Sequence, residues 1–294
     1  MRIKVTLFIL LFVSIFSLNA QKIKHVVLIG CDAFGAYAYH KADMPNLKKL
    51  ADNGVWSDKA RVVLPSSSAV NWASILMGAS PTLHGYTEWG SKTPEISSVV
   101  VSQYGKFPSI YTILREQKPD SKTAVIYSWD GIGYLLEKEI INIDICTKGN
   151  EELTADTTAH IIRTEKPTFT FIHFDEPDHI GHSAGHDTPA YYAELKNVDR
   201  RIGKIMQAVK DAGIEKETVI MVVSDHGGID KGHGKKSIRE VVVPIVISGP
   251  TIRKGYELNS VIVDYDYAAT IAKMFDLKIP QAWRGQAIME IFEK

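Results

Sequence analysis

Short apolar runs recur along the chain, and between them apolar residues fall three and four positions apart. His25–Gly30 (HVVLIG), Thr123–Tyr127 (TAVIY), Phe169–Phe174 (FTFIHF), Val219–Val223 (VIMVV) and Val241–Ser248 (VVVPIVIS) are continuous rather than alternating in hydrophobicity. That is the pattern of strands buried on both faces. Pro244 withholds one ladder N–H, which predicts an edge or a bulge in the last run. Lys59–Leu64 is strand-like as well. The clearest helix is Pro189–Ala212, where Tyr191, Leu195, Val198, Ile202, Ile205 and Val209 share one face. Asp266–Leu277 and Met44–Asp52 are shorter candidates. This alternation predicts an α/β fold, a three-layer sandwich with a mostly parallel central sheet and helices on both faces. No repeat, low-complexity tract or linker divides residues 21–294, so a single domain is expected. Segments 86–107 and 130–152 fit the pattern least and are candidate small insertions over a site.

The N-terminus breaks the pattern. Arg2 and Lys4 precede an apolar run, Val5–Phe16, interrupted only by Thr6 and Ser14, and the small Ala20 precedes the polar Gln21-Lys22. This is the layout of a secretory signal peptide over residues 1–20, and its apolar run is short for a bilayer span. The expected destination is periplasmic or extracellular, with no stable membrane insertion once the signal is removed. Charge agrees with a plain soluble domain: Lys+Arg and Asp+Glu both number 34, and 45% of residues are hydrophobic. Such balance argues against a nucleic-acid polymer as partner. Two cysteines, Cys31 and Cys146, are too few for a disulfide scaffold, and Cys31, ending an apolar run, reads as a small buried filler.

In an open α/β sheet the ligand site lies beyond the carboxyl ends of the strands. The first run leads into Cys31-Asp32, the third into Asp175-Glu-Pro-Asp178-His179-Ile-Gly-His182, and the fourth into Ser224-Asp225-His226-Gly227. Six of the ten histidines fall between positions 173 and 233. Carboxylate and imidazole together are ligands for zinc and similar divalent ions. An adjacent Asp-His corner can serve two neighbouring ions, the arrangement that clamps phosphoryl groups. Spacing alone leaves the register open, because Asp175/His179 and Asp178/His182 share one separation and His186 extends the series. His173 and His25 read as core or supporting groups, and His40 and His160 as surface or helix residues.

Pro65-Ser66-Ser67-Ser68-Ala69-Val70-Asn71-Trp72 follows the Lys59–Leu64 run and opens a short helix toward Gly78. One of these serines suits an N-cap. Another could be a metal-activated nucleophile near helix-terminal N–H groups, with Asn71 donating to a phosphoryl oxygen. The chain has no G-x-S-x-G elbow, no G-x4-G-K-[ST] loop and no G-x-G-x-x-G.

In this order the motifs resemble the alkaline phosphatase superfamily, and within it the type I phosphodiesterase/nucleotide pyrophosphatase branch. Asp175–His186 (DEPDHIGHSAGH) is similar to that branch's E-E-P-D-x-x-G-H-x-x-G. Ser68–Gly78 with Pro81–Gly85 is similar to T-F-P-N-H-Y-T-x-x-T-G…P-x-x-H-G, and Ser224–Gly227 to the superfamily's second metal corner. The resemblance spans Val26 to about Gln286. It implies an alkaline-phosphatase-like catalytic domain holding two divalent metal ions, zinc first and manganese second. Asp32, Ser68, Asp225 and His226 would hold one ion, and Asp178, His182 and His233 the other, with His84 the fallback for His233. Ser68 would be the nucleophile of two in-line displacements through a phospho-enzyme, and Asn71 the oxyanion-side donor.

Ser68 stands where the branch has Thr, and Ala69, Val70 and Trp72 where it has Phe, Pro and His. The implied activity is hydrolysis of a small phosphate ester, a diester first. Phosphomonoesterase and sulfatase activities are the alternatives within the fold, and a non-catalytic phosphate-binding protein the alternative outside it. A sulfatase would carry C/S-x-P-x-R, which is absent around Ser68 and Cys31. A monoesterase needs extra cations at the free oxygens, for which Lys235, Lys236 and Arg163 are candidates.

Overall fold

The apolar runs become adjacent strands of one sheet. In the computed structural model, which describes residues 23–293, the strands are β1 (His25–Cys31), β2 (Gly54–Arg61), β3 (Thr123–Tyr127), β4 (Ile143–Cys146), β5 (Phe169–Phe174), β6 (Thr218–Val223), β7 (Val242–Ser248) and β8 (Tyr256–Glu257). The segment read as an export signal, residues 1–20, lies outside the described residues. The sheet order is β4-β3-β5-β1-β6-β7-β2-β8. β1 pairs in parallel with β5 and β6, and β3 in parallel with β4 and β5. β7 runs antiparallel to both its neighbours.

Successive residues of β1 serve opposite layers, as the pleat requires. Val26 and Leu28 pack into the cluster that takes in the helices Ser68–Met77, Ile110–Gln117 and Asp266–Met274. Val27, Ile29 and Cys31 pack instead against the helices Pro45–Asp52 and Pro189–Asp211. The expected three-layer α/β sandwich is what the chain forms.

Two details differ from the sequence reading, while of the two expectations for Pro244 the bulge holds. Pro244 lies in an interior strand. Its missing N–H is tolerated because pairing with β6 begins only at Ile245, while β2 changes register between Ser57 and Ala60, opposite it. β2 starts at Gly54 and ends at Arg61, earlier than the Lys59–Leu64 run, because its half-exposed face carries the polar Asp58 and Lys59 within the strand. Segment 130–152 contributes the short strand β4, whose Ile143 and Ile145 pack on Ala124, Ile126 and Ile161. Segment 86–107 forms neither helix nor strand. Its middle is pinned where Ile96 N–H donates to Gly85 O and Val99 N–H to Leu83 O, at 3.1 and 3.0 Å. Cys31 and Cys146 are both free thiols.

The helix Pro45–Asp52 has no capping side chain of its own. The buried Asp199 of the long helix supplies it: Oδ1 accepts from Leu47 N at 2.8 Å, and Oδ2 from Asn46 N and Nδ2 at 3.1 and 2.8 Å. Helix-terminal N–H groups shut away from water need such an acceptor. Asp199→Ala should lower stability by about 2 kcal/mol, measured by urea denaturation; an unchanged midpoint would show that the cap contributes nothing.

Candidate active site and metal centre

β1, β5 and β6 are parallel and adjacent, so their carboxyl ends open at one edge of the sheet. Asp32 follows β1, Asp225 and His226 follow β6, and Asp178 opens the helix Asp178–Ala184 after β5. Side chain–backbone bonds lock the corners together. Ser224 Oγ donates to His226 O at 2.8 Å and accepts from Phe34 N at 2.9 Å, while Asp225 Oδ1 accepts from Ala33 N at 3.2 Å.

His226 donates from Nδ1 to Gly227 O at 2.9 Å, which leaves a lone pair on Nε2. That lone pair faces Asp32 Oδ1 and Asp225 Oδ2, each at 3.3 Å, and the Ser68 hydroxyl at 3.2 Å. Asp32 Oδ1 and Asp225 Oδ2 are buried and lack a hydrogen-bond partner. Burial, then the charges of Asp225 and Asp178, push the Asp32 carboxyl well above the usual range; burial and Asp178 do the same to Asp225. Electron-pair donors aimed at one another in a dry site are the donor set of a cation.

A second group adjoins the first. His182 donates from Nδ1 to Lys231 O at 2.9 Å and His233 from Nδ1 to Ser66 O at 3.0 Å, so the two Nε2 lone pairs meet at 3.1 Å. Asp178 completes it, with Oδ2 3.3 Å from His182 Nε2 and Oδ1 3.6 Å from His233 Nε2. Burial acts against the Asp178 charge, but the His182 contact and the nearby imidazoles hold its carboxyl down to about 2. The same contact pushes His182 up to about 9. Lone pairs this close need either a shared proton or a cation between them. The His226 and His233 rings stack with centroids 3.8 Å apart. Ligand atoms of Asp178, His182 and His233 lie within 4.8 Å of one another, as do those of Asp32, Asp178 and His226. Asp178 is common to both groups.

The structure therefore brings together Asp32, Ser68, Asp178, His182, Asp225, His226 and His233. His179 is exposed and belongs to neither group. Asp175 forms a third such group with Asp32 and His173, their ligand atoms within 4.8 Å of one another, and its N–H donates to Glu151 Oε1 at 3.0 Å. His84 is buried at a distance from both groups, its Nε2 3.0 Å from Ser74 Oγ and its Nδ1 accepting from Tyr86 N. His186 is also buried, against Tyr37. Arg163 lies twelve residues beyond Glu151 on the helix Glu151–Glu165, about 18 Å away along its axis and toward the opposite edge of the sheet.

Asn71 is placed differently from the expected oxyanion donor. Its Nδ2 donates to Pro65 O and Ser67 O at 3.1 and 3.0 Å, and its Oδ1 accepts from Val63 N at 2.9 Å. With both amide hydrogens committed, it braces the turn that delivers Ser68 rather than presenting a free donor. Ser67, not Ser68, occupies the N-cap position of the helix Ser68–Met77. Trp72 escaped sequence reasoning: its indole N–H donates to Asp32 Oδ2 at 3.1 Å. An aromatic in an apolar helix reads as core. The available signal was its place four residues after Ser68, on the same helix face.

Beyond the ends of β3 and β4 lies a cavity of about 890 Å³, lined by Tyr127, Trp129, Tyr134, Lys106, Lys138 and Asp175 among others.

A hydroxyl at the first turn of a helix thus stands among carboxylates and imidazoles at the ends of parallel strands. The profile of the type I phosphodiesterase / nucleotide pyrophosphatase family matches residues 26–240, and the chain belongs to that family. It is 26% identical over 227 residues to mouse ectonucleotide pyrophosphatase/phosphodiesterase family member 1, covering 72% of this chain and 25% of the relative. The chain thus spans about a quarter of that relative's length. Arylsulfatase K of Xenopus laevis is 30% identical over 106 residues, 34% of this chain and 20% of its own. Among solved structures, murine ectonucleotide pyrophosphatase/phosphodiesterase 5, in an inactive form with AMP, superposes with a TM-score of 0.72 at 14% identity, covering 92% of this chain and 100% of that one. A 2-O glycosaminoglycan sulfatase superposes with a TM-score of 0.71 at 14% identity, covering 90% and 73%. Both show the fold.

The two ligand registers make different predictions. Asp178→Ala and His233→Ala should each lose bound zinc or manganese by elemental analysis, while His179→Ala keeps the wild-type content. Metal loss in His179→Ala alone would reverse the register.

Proposed function

We propose that this protein is an exported phosphoric-ester hydrolase that holds two divalent metal ions and uses Ser68 as its nucleophile. The observation that carries the reading is the Ser68 hydroxyl, 3.2 Å from His226 Nε2 and beside the unpartnered oxygens of Asp32 and Asp225. The residues fit the ions: Asp32, Ser68, Asp225 and His226 would hold one, and Asp178, His182 and His233 the other. Bound there, zinc or manganese supplies positive charge to the phosphoryl oxygens and makes the serine hydroxyl acidic enough to ionise near neutral pH.

The chain's own residues do the rest. Ser68 Oγ attacks phosphorus in line; the Oγ–P bond forms as the ester P–O bond breaks, and water then releases the phosphoryl group from Ser68. Asn71 keeps the turn before Ser68 in place. The carbonyls of Gly227, Lys231 and Ser66 fix the imidazole tautomers, so that each Nε2 faces the site.

A diester is favoured over a monoester by the cavity beyond β3 and β4, whose Trp129 and Tyr134 offer aromatic surface to a second organic group and whose Asp175 lies in one ligand group with Asp32. Family membership and the AMP-bound neighbour make nucleotides the first substrates to test. Export rests on residues 1–20; among the described residues no helix is long and apolar enough to cross a membrane.

Purified protein loaded with zinc or manganese should hydrolyse aryl phosphodiesters and nucleotide substrates faster than aryl monoesters or sulfates. Ser68→Ala should lose about three orders of magnitude in kcat or more, and chelation should abolish turnover. Wild-type turnover by Ser68→Ala would remove the nucleophile, and no turnover of any ester with both ions bound would sink the enzyme.

A further inference from the structure

We propose that Trp72 and His173 are positioning residues that determine which oxygen of Asp32 is offered to a metal ion. The proposal rests on the metal-centre reading above. Asp32 has two inequivalent oxygens. Oδ2 accepts from Trp72 Nε1 at 3.1 Å and lies 3.0 Å from His173 Nε2. Oδ1 has no hydrogen-bond partner and lies 3.3 Å from the His226 lone pair. One oxygen is consumed by the interior of the fold, and the other is left for the site.

The two donors come from different layers. His173 stands on β5 directly across the ladder from Gly30 of β1, two residues before Asp32. Trp72 descends from the helix that also carries Ser68, and its ring fills the space where Gly30 lacks a side chain. A Cβ at position 30 would come within 2.3 Å of Trp72 Cη2 and 3.2 Å of Phe171. The Trp72 and His173 rings meet edge-on with centroids 5.1 Å apart, and both residues are fully buried.

The His173 tautomer is set by its surroundings. Nδ1 has no hydrogen-bond partner, whereas Nε2 faces a carboxylate oxygen, so the proton sits on Nε2 and is donated. An indole N–H only donates. Two uncharged donors therefore pin the carboxylate without cancelling the charge that a cation would meet, which a lysine or arginine in their place would do. The arrangement also gives a role to Trp72, which departs from the histidine of the motif this segment resembles. Removing a group that orients a ligand typically weakens metal binding by about 10- to 100-fold.

The test uses the full-length protein loaded with zinc, with ion content and affinity measured by calorimetry and elemental analysis. Trp72→Phe keeps a buried ring and deletes the N–H; His173→Leu deletes the other donor, and His173→Gln restores one. In Trp72→Phe and His173→Leu one of two zinc ions should bind about tenfold or more weakly while the second keeps its affinity and circular dichroism is unchanged. His173→Gln should recover part of the loss. If Trp72→Phe does not fold, the His173 pair decides alone. Wild-type affinity for both ions in His173→Leu, or equal weakening of both, would overturn the proposal. A wild-type protein that binds no zinc would instead overturn the metal-centre reading itself.

Discussion

Like charges crowded into a dry space are the constraint around which this molecule is arranged. Asp32, Asp178 and Asp225 sit with the Nε2 atoms of His182, His226 and His233 at the end of a sheet whose central strands are buried almost throughout. Around Asp32, Asp225 and His226 water is excluded, so neither repulsion nor desolvation is relieved there by solvent. The rise in the Asp32 and Asp225 carboxyls and the fall in His226 express that stress in a chain without cations. Divalent ions would relieve all of it at once. The site is then best regarded as half of a structure, with positive charge as the other half.

The fold supplies rigidity in proportion to that stress. The imidazoles of His182, His226 and His233 are each oriented by a backbone carbonyl, and the corners after β1 and β6 are tied together by bonds from Phe34 N to Ser224 Oγ and from Ala33 N to Asp225 Oδ1. The turn before Ser68 is held by Asn71 from within and by Lys235, whose carbonyl accepts from Ser66 Oγ at 2.6 Å. Such bonds keep the donors converging even when nothing binds between them. Mobility, if substrate binding needs it, has to come from the loops around the cavity rather than from the ligands.

Much of this was legible in the chain because it depends on pattern. Continuous apolar runs announce strands buried on both faces, and in an open α/β sheet a ligand meets the residues just past the strands' carboxyl ends. That logic located Asp32, Asp225 and His226 from the runs alone. Resemblance to a known motif chose Asp178 and His182 over the equally spaced Asp175 and His179; both histidines are exposed, and only His182 has ligand atoms grouped with those of Asp178 and His233. The parts that stayed hidden depend on contacts distant in sequence. Asn71 carries the right chemistry for an oxyanion donor, yet Pro65 and Ser67 claim its hydrogens. Trp72 reads as core because nothing in an apolar helix reveals that its N–H reaches a carboxylate on another strand. Strand β2 was misplaced for a related reason: its pairing with β7 lets polar residues sit in a strand, and apolar runs do not report them.

The two outermost strands are short: β4 has four residues and β8 two. A sheet edge presents unpaired N–H and C=O groups to any other extended chain, and long, flat edges template aggregation. Here the long strands are all interior, and the ladder tapers at both sides before solvent is reached. The β7–β2 pairing, interrupted by its register shift, breaks the regularity near one of those sides. The molecule therefore carries a wide, largely buried sheet with only short strands at its two edges.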